Sequence, residues 1–533
     1  MTDRISLPDV TDDENALLNR LLTELDAKQP RNLLRASYYD GKRAVRQVGT
    51  VVPPQYYKLA IVLGWSAKAV DILARRCNLD GFVWPDGDLD SLGASDVWDS
   101  NFFGAESSSA LISSLIHGVS FLVNTKGGDD EPESLIHVKD ALSATGDWNP
   151  RTRRMDNLLS ITSRDDKGKP TGLALYLDGV TVAADFEDGK WQVDRTSHSW
   201  GVPAEPLVYK PRVGRPFGYS RISRPVMGLH DQALRTIIRM EGHADVFSFP
   251  EMWMLGADES IFKNPDGTQK ASWQVMLGRI KGIPDDENAE NPRADVKQFA
   301  AASPQPHIDM LKQQAQMFSG ETSIPLTSLG VSDMSNPTSA DSYIASREDL
   351  IAEAEGATDD WAPAFRRSMM RALAIANNLS EIPDEWRTLN TKWRSPVYLS
   401  RAAQADAGTK QLAAVPWLAE TEVGLELLGL NELQIKQALA DKRRLEGRKA
   451  LTSLLGAQPD SAAQPEEPVE SEESEDAKPS EADDAAALKA KFEALGMAVR
   501  AGVDSTDAAR RLGLEGIKFT GGTPVSLRMP GQE

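Results

Sequence analysis

The strongest constraint on the fold is an acidic stretch, 457–485, which holds eleven carboxylates and one lysine, Lys478. It is rich in Pro, Ser and Ala, so it cannot bury enough apolar surface to offset the entropy lost on ordering. It also carries half of the formal net charge of −20. The sequence therefore predicts a folded body, a disordered linker over 456–485, and a small helical appendix over 486–533.

Length and cysteine usage bound the class of protein. A chain of 533 residues is too long to fold around a single hydrophobic core, so several domains are predicted. Cys77 is the only cysteine, so an intrachain disulfide and a cysteine-based zinc site are excluded. The first residues are acidic where a secretory signal needs a basic flank, and no long uncharged apolar run predicts a membrane span. These features favour assembly in a reducing cytoplasm.

Apolar residues at helical spacing predict a mostly helical body. Pro30 should end the first helix, Pro225 is tolerated only in a first turn and places a helix start near Ser223, and Pro363 should kink the longest helix. The predicted helices are 12–27, 56–73, the start of 107–124, 223–247, 307–318, 338–379, 402–426 and 431–455.

Short β-type segments lie between about 134 and 210, separated by turn sequences such as Asp178-Gly179 and Asp188-Gly189. This pattern predicts an antiparallel meander. A second β-rich insert is expected over 250–305, with a turn at 264–267 and strands at 273–280 and 296–299. Helices and antiparallel strands together predict an α+β fold class.

Catalytic motifs are missing from the sequence. Each Gly-Lys pair lacks the following Ser or Thr and the upstream glycine of a phosphate-binding loop, which argues against an ATPase. The motifs of zinc proteases, serine hydrolases and dinucleotide-binding enzymes are also missing. We therefore expect no enzyme activity, and no catalytic, cofactor-binding or metal-binding residues.

Three weaker signals allow two interpretations each. His230 and Asp231 diverge on a helix, so an exposed helix face is favoured over a catalytic pair. Cys77 follows Arg75 and Arg76, which could lower its pKa, but a buried cysteine without a role is favoured. The twelve tryptophans could stack on bases, but their apolar neighbours favour core packing.

Five segments carry a family resemblance. They are 38–41 (YYDG), 98–123 (a Trp-x-x-Asn before a helix and a strand), 214–256, 323–351 with N-P-T-S-A-D at 336–341, and 393–410 with 428–435. In this order they resemble the portal proteins, or head–tail connectors, of long-tailed bacteriophages. The matched segments together cover most of the folded body.

The resemblance implies a portal fold with an α/β wing, stem helices, a clip insert, a long kinked wing helix and a helical crown. The implied domains are 1–221 wing, 222–247 stem helix, 248–305 clip, 306–319 second stem helix, 320–337 tunnel loop, 338–379 long wing helix and 380–455 crown. The linker 456–485 and the appendix 486–533 have no firm counterpart in the family.

The resemblance also implies a function. Copies of the chain would form a ring, expected to be a dodecamer, at one capsid vertex of the virion after assembly in the host cytoplasm. Implied partners are double-stranded viral DNA without sequence specificity, the terminase large subunit, a head–tail adaptor, and the major capsid and scaffold proteins. No membrane is implied.

The expected DNA-facing residues fall in two groups. The tunnel loop contributes Thr327, Ser328, Ser332, Asp333, Met334, Ser335 and Asn336, and the stem contributes Arg235, Arg239 and Lys312. Salt bridges between neighbouring stems are an equally good role for the three stem cations. The acidic body suits a conduit, since basic grips hold DNA with strong salt dependence.

Two other classes of function stay open at this point. One is a nucleic-acid-processing component of the packaging machinery, such as a nuclease or a motor subunit, which would need an ATP site or a metal-bound acidic cluster. The other is a different head or tail structural protein, such as a capsid or adaptor subunit.

Overall fold

The structure, a computed structural model, describes residues 4–42, 61–247, 252–255, 263–268, 280–283, 295–298, 302–331, 347–398, 401–455, 509–511 and 513. The chain divides into two compact units, Met1–Ala414 and Val415–Glu533. The predicted linker 456–485 lies outside the described residues, as does almost all of the appendix.

Both units contain α-helices. The first unit contains α1 Asp12–Tyr39, α2 Trp65–Ala74, α3 Ala94–Ser100, α4 Phe103–His117, α5 Arg224–Phe247, α6 Gln305–Thr322, α7 Glu348–Ala376 and α8 Arg401–Ala414. The second unit contains α9 Glu422–Leu427 and α10 Glu432–Leu455. No described helix is long and apolar enough to cross a membrane.

The strands belong to the first unit. They are β1 Leu79–Val83, β2 Val119–Lys126, β3 Ser134–Asp140, β4 Ala144–Asn149, β5 Arg154–Arg164, β6 Pro170–Leu177, β7 Val180–Glu187, β8 Lys190–Ser197, β9 Ala204–Val208, β10 Met252–Leu255, β11 Ile280–Ile283, β12 Asp295–Gln298 and β13 Asn390–Trp393. The prediction of an α+β fold class is confirmed.

The predicted meander is present as a five-stranded antiparallel sheet in the order β4-β5-β6-β7-β8. Its tight turns follow from sequence. Leu177 pairs with Val180 across Asp178-Gly179, and Gly179 has a φ of +76°. Such two-residue turns need positive φ, which Asp-Gly adopts readily. The other described sheets are β3-β2-β9, β1-β13 and β11-β10-β12.

Strand β8 forms one edge of the five-stranded sheet. Its side chains alternate: Trp191 and Val193 pack against the apolar cluster under the sheet, whereas Lys190, Gln192 and Asp194 are exposed. The alternation follows from the two-residue period of a strand with one buried face.

Helix α1 continues past the point where its end was predicted. Thr11 begins it with a capping box to Glu14, and Pro30 lies inside the helix, so the predicted end at Pro30 is wrong. A proline inside a helix costs about 3 kcal/mol. Burial of Leu18, Leu21 and Leu25 on one side of Pro30, and of Tyr38 on the other, outweighs that cost.

Helix α7 lies at the centre of the main core. It packs against the sheet β3-β2-β9 and against helices α2 and α3. Strand β1 packs against α4, which lies beside it. The side chains of Trp361 and Phe365 are fully buried, and Trp361 Nε1 donates to Ser114 Oγ of α4 at 3.1 Å. This core fixes the end of β9 and the segment that leads into α5.

Other predicted helix bounds were partly wrong. Helix α2 begins at Trp65 after the non-helical residues 61–64, and 56–60 lie outside the described residues. The predicted helix 402–426 is broken, because Pro416 starts a separate 3-10 turn, Pro416–Glu420. The predictions near 223–247 and 431–455 are confirmed by α5 and α10.

The predicted long helix is described from Glu348 to Ala376, with Pro363 inside it; 338–346 lie outside the described residues. In the 250–305 insert, the turn at 264–267 is confirmed by the bond from the Gly267 N–H to the Asn264 carbonyl, 2.9 Å. Most of the predicted strand 273–280 lies outside the described residues, and the second strand is β12.

Candidate functional site: an antiparallel helix pair and its base

Helices α5 and α6 pack side by side in opposite directions. Near the end of α5, His243 Nε2 donates to the Ala302 carbonyl, 2.9 Å, just before α6 begins. Midway, Gln314 Nε2 donates to Thr236 Oγ1, 3.0 Å. At the other end, Ser223 Oγ donates to Glu321 Oε1, 3.3 Å. The start of α5 therefore lies beside the end of α6.

One face of the pair is apolar and covered. Val226, Leu229 and Ala233 of α5 pack against Phe318 of α6 and against Trp65 of α2, and the rings of Trp65 and Phe318 lie 5.3 Å apart. Burial of side chains of this size stabilises the pair by about 1.5 to 3 kcal/mol each. The pair is thereby fixed to the rest of the first unit at its base.

His230 lies on the covered side, and its predicted place on an exposed helix face is wrong. It is 2% exposed, and its Nδ1 lies 2.8 Å from Ser66 Oγ of α2. Burial lowers its pKa. Asp231 accepts a hydrogen bond from Tyr38 of α1, 2.9 Å. The sequence could not predict this burial, because the covering helices α1 and α2 are distant along the chain.

The opposite face of α5 carries Arg224, Gln232, Arg235 and Arg239, which recur at helical spacing. Arg224, Gln232 and Arg239 are exposed and Arg235 is half-buried. Helix α5 as a whole carries three arginines and three carboxylates, so their formal charges cancel.

The outward face of α6 is polar and mostly uncharged. Its exposed positions include the polar or small residues Gln305, Asp309, Gln313, Gln316, Gly320 and Glu321, and also Pro306, Met310 and Met317. Lys312 is half-buried beside this face. The helix pair is therefore close to neutral within a chain of formal charge −20. Such a surface has little long-range attraction for a polyanion.

Arg221 joins the base of the pair to four other parts of the chain. It lies just before α5, and its side chain is 4% exposed. Its Nη1 donates to Glu353 Oε1 at 2.6 Å and to Tyr209 Oη at 3.0 Å, and its Nη2 donates to the Thr322 carbonyl at 2.7 Å. Its Nε donates to the Ala69 carbonyl of α2. A planar guanidinium can serve all these acceptors at once.

Glu353 of α7 is the anion at this base. Tyr209 Oη and Lys210 Nζ each donate to Glu353 Oε1 at 2.5 Å. Burial alone would raise the pKa of Glu353, but the charge of Arg221 and the three hydrogen bonds outweigh it and lower the pKa to about 2. Burial and Glu353 raise the pKa of Tyr209. Glu353 is therefore ionised, and Tyr209 protonated, near neutral pH.

Arg221 ties together the two ends of the segment between α6 and α7. Thr322 is the last residue of α6, and Glu353 lies in the second turn of α7. The described start of this segment is packed: Ile324 and Leu329 are buried, and Lys68 Nζ donates to the Ser328 carbonyl, 2.7 Å. Whatever the segment does, its base is held at a single guanidinium.

The predicted loop residues fall on both sides of the described boundary. Thr327 is exposed and Ser328 is half-buried, both within the 3-10 turn Leu326–Leu329. The others lie outside the described residues: Ser332, Asp333, Met334, Ser335 and Asn336. The structure brings Arg235 and Arg239 onto one face of α5 and places Lys312 on the partner helix.

The residues of the base were missed by sequence reasoning. Arg221 and Glu353 are separated by more than a hundred positions, and no local spacing links them. The only available signal was an arginine immediately before an apolar helical stripe, which is too common to be informative.

Metal and thiol chemistry find no support in the part of the chain that the structure describes. There, no three His, Cys, Asp or Glu side chains are grouped so that they could hold a metal ion. Cys77 is 2% exposed, and burial raises the pKa of its thiol to about 12. The favoured prediction of a buried cysteine is confirmed, because burial outweighs the lowering effect of the Arg221 and Arg76 charges on the pKa of the thiol.

The chain is similar in sequence to known phage proteins. The family model "Phage portal protein, SPP1 Gp6-like" matches residues 18–437. The chain is 25% identical over 382 residues to the portal protein of Mycobacterium phage L5, covering 70% of this chain and 77% of the relative. It is also 25% identical over 383 residues to the portal protein of Mycobacterium phage D29, with the same coverage.

Two solved structures are similar over much of the chain. The neck of a native GTA particle computed with C12 symmetry is 15% identical, with a TM-score of 0.31, covering 74% of this chain and 99% of that one. The neck of an empty GTA particle computed with C6 symmetry is 15% identical, with a TM-score of 0.32, covering 69% and 90%. These scores are too low to carry an argument about architecture.

Proposed function

This chain belongs to the SPP1 Gp6-like family of phage portal proteins, and from that membership we propose that its copies close into a ring, of twelve subunits, around a channel for double-stranded DNA. The ring would sit at one vertex of the virion capsid, after assembly in the host cytoplasm. DNA would pass through it during packaging and ejection. The proposed role is structural and not catalytic.

The family match over 18–437 carries this proposal. It spans the chain from α1 into α10 and includes the pair α5 and α6 and the segment that joins α6 to α7. We propose that α5 and α6 are the stem of the ring. The remaining assignments are also proposals: wing before Ile222, clip over 248–305, and crown over 380–455.

The outward faces of α5 and α6 suit a channel wall. DNA must slide through a portal, and cationic grips would hold it by releasing counterions. A nearly neutral surface rich in Gln, with Arg235, Arg239 and Lys312 at intervals, would touch phosphates without retaining them. The alternative role for these three cations is salt bridges between the stems of neighbouring subunits.

We propose that the segment between α6 and α7 is the tunnel loop, with its tip at 332–336. The hydrogen bonds of Arg221 to the Thr322 carbonyl and to Glu353 support this proposal, because they hold both ends of the loop together. A tip that narrows a channel needs a rigid base if its position is to be the same in every subunit.

Partners are proposed from the family role. The clip would meet the terminase large subunit during packaging and the head–tail adaptor afterwards, and the wing would meet the major capsid and scaffold proteins. The acidic linker and the appendix have no assigned partner.

Electron microscopy of the purified full chain tests ring formation. Class averages should show closed rings with a central hole. Light scattering on the same sample gives the mass of the ring. Divided by the mass of one chain, it should give twelve subunits. A monomer at every protein concentration and salt concentration would contradict the proposal.

The loop assignment is tested by replacing 332–336 with five Gly and Ser residues. Deletion from 324 would be uninformative, because Ile324 and Leu329 are buried beside Trp65. Rings should form normally, while the amount of DNA retained in assembled heads should fall severalfold. The matched control replaces the five residues 129–133 of the exposed β2–β3 turn. Loss of rings in the first variant alone would instead make the loop an assembly element.

The two roles of the stem cations are separated by the double variant Arg235→Gln, Arg239→Gln. Contact with phosphate predicts intact rings with changed DNA retention, whereas salt bridges between stems predict rings that dissociate at lower salt. The control is Arg387→Gln, which removes an exposed arginine paired with Asp384 three residues away.

A further inference from the structure

A second polar site lies in the first unit, away from the helix pair. It is a cavity of about 230 Å³ enclosed by the C-terminal half of α1, the end of α4, β2, the β3–β4 connection and the segment after β9. The side of the cavity formed by α1 is lined by Lys28, Arg31, Asn32 and Arg35. These positions share one helix face, because residues three, four and seven apart lie in a row.

The cavity carries more positive charge than its surroundings compensate. Lys28 is paired with Glu24, 2.6 Å. Arg35, in contrast, donates to the neutral carbonyl of His117, 2.7 Å. Arg215, which lines the opposite side, stacks on the ring of Tyr219, 4.7 Å.

Three guanidinium groups, those of Arg31, Arg35 and Arg215, therefore converge on one small space. Burial, followed by the like charges of Arg31 and Arg215, lowers the pKa of Arg35 to about 10. An anion in this cavity would relieve that repulsion.

Two buried side chains of the lining have unsatisfied polar atoms. Asn32 is 2% exposed; its Nδ2 donates to the Ala141 carbonyl, 2.8 Å, while its Oδ1 has no partner among the described residues. Nδ1 of His117, a residue 8% exposed, also has no partner there. A buried unsatisfied atom of this kind costs about 1 to 3 kcal/mol, so a ligand that pairs with one of them would be favoured.

We propose that this cavity binds a hydrogen-phosphate group, either free or as a monoester. Its oxygens would accept from the guanidinium groups of Arg31, Arg35 and Arg215, whose planar geometry suits phosphate. Its remaining hydroxyl, where the group is free, would donate to Asn32 Oδ1. The apolar walls formed by Phe121 and Phe217 would contact the body of a monoester. A carboxylate side chain fits less well, because it offers two oxygens to three guanidinium groups, whereas a phosphate group offers at least three.

Calorimetric titration of the full chain with inorganic phosphate near pH 7 tests the site. One saturable binding event per chain is expected. The double variant Arg31→Gln, Arg215→Gln should weaken it at least about tenfold, since two charge-assisted bonds are lost. Both side chains are exposed, so the variant should fold. The matched control, Arg151→Gln with Arg154→Gln, removes two exposed arginines elsewhere and should change the affinity less than about twofold.

Other titrants distinguish the ligand. Sulfate has the size and charge of hydrogen phosphate but no hydroxyl, and should bind several times more weakly. Glycerol 3-phosphate binding more tightly than inorganic phosphate would identify a monoester as the natural ligand; equal or weaker binding would identify free phosphate.

Three results would overturn the proposal: sulfate binding as tightly as phosphate, equal loss of affinity in both double variants, or no saturable phosphate binding. A short acidic peptide that binds more tightly than phosphate, and that phosphate does not displace, would also overturn the proposal and would favour a protein partner.

Discussion

Glu205 is a buried carboxylate of the first unit and Glu353 a mostly buried one, yet they join different parts of the fold. Glu205 of β9 accepts from Arg367 Nε, 2.7 Å, and from Arg371 Nη2, 2.8 Å. Both arginines belong to α7, so this cluster links one strand to one helix. It has two cations for one anion, and either arginine alone leaves the carboxylate paired.

The cluster around Glu353 is arranged differently, because a single arginine makes most of its contacts. Most of its contacts pass through one side chain, Arg221, which also serves the carbonyls of Ala69 and Thr322. It therefore connects α2, α5, α6 and α7 at a single point. Removal of one guanidinium should affect the base of the helix pair far more than any one change at Glu205.

Arg221→Met breaks this comparison most directly, and we expect the largest loss of stability from it. The variant leaves Glu353 mostly buried with Lys210 as its remaining cation among the described residues, and it leaves two carbonyls without their donor. Removing one partner of a buried ion pair costs about 3 to 5 kcal/mol. Urea unfolding of the full chain measures the change.

The control for Arg221→Met is Arg394→Met, which removes one partner of the more exposed pair with Asp80 and should cost no more than about 1 kcal/mol. Adding Glu353→Gln to Arg221→Met should recover part of the loss. Equal destabilisation by the two single variants would show that Arg221 is not the point that joins these helices.

The pH dependence of stability tests the anion of the same cluster. The pKa of Glu353 is about 2 in the folded state and 4.5 ordinarily, so the unfolded chain takes up this proton first. The stabilisation is fully present above pH 4.5 and is lost as the pH falls towards 2. Its size is about 3 kcal/mol.

Glu353→Gln should remove this contribution, so that the free energy of unfolding falls less steeply between pH 4.5 and 2. Glu14, which Arg195 and Thr11 hold at a pKa of about 2, supplies a slope of the same sign. Glu14→Gln is therefore the matched control at a more exposed site. A wild-type slope retained in Glu353→Gln would rule out this account.

The smallest effects are expected at Glu205. Arg367→Gln should cost about 1 kcal/mol, and Arg371→Gln about 2 kcal/mol, because Arg371 also donates to Asn124 Oδ1, 3.2 Å. The double variant should cost more than the sum, since only then is Glu205 unpaired. Additive costs would show that the two arginines do not substitute for each other, and the contrast with Arg221 would be lost.

Local chemistry explains which parts of the fold were predictable. The meander followed from Asp-Gly turns, the start of α5 from Pro225, and the buried state of Cys77 from its residue type. The portal family, predicted from five segments in order, is confirmed by the match over 18–437. In each case the deciding signal lay within a few residues or in the order of segments.

Long-range packing explains what was missed. Pro30 was expected to end α1, but burial on both sides carries the helix through it to Tyr39. Only this continuation aligns Arg31, Asn32 and Arg35 on one face. The burial of His230 and the pairing of Arg221 with Glu353 depend on helices that meet only in the folded chain, so no spacing in the sequence could have indicated them.

The exposed edge at β8 affects how separate copies of the chain can pair with one another. An unpaired strand edge is a template for further strands, and an assembly of many identical subunits requires a high local concentration of them. Lys190 and Asp194 place charge along that edge, and Arg195 is bonded to Glu14 of α1 at 2.9 Å. These charges disfavour edge-to-edge pairing between copies of the chain, so under the proposed function new subunits would accumulate before ring assembly without forming fibres.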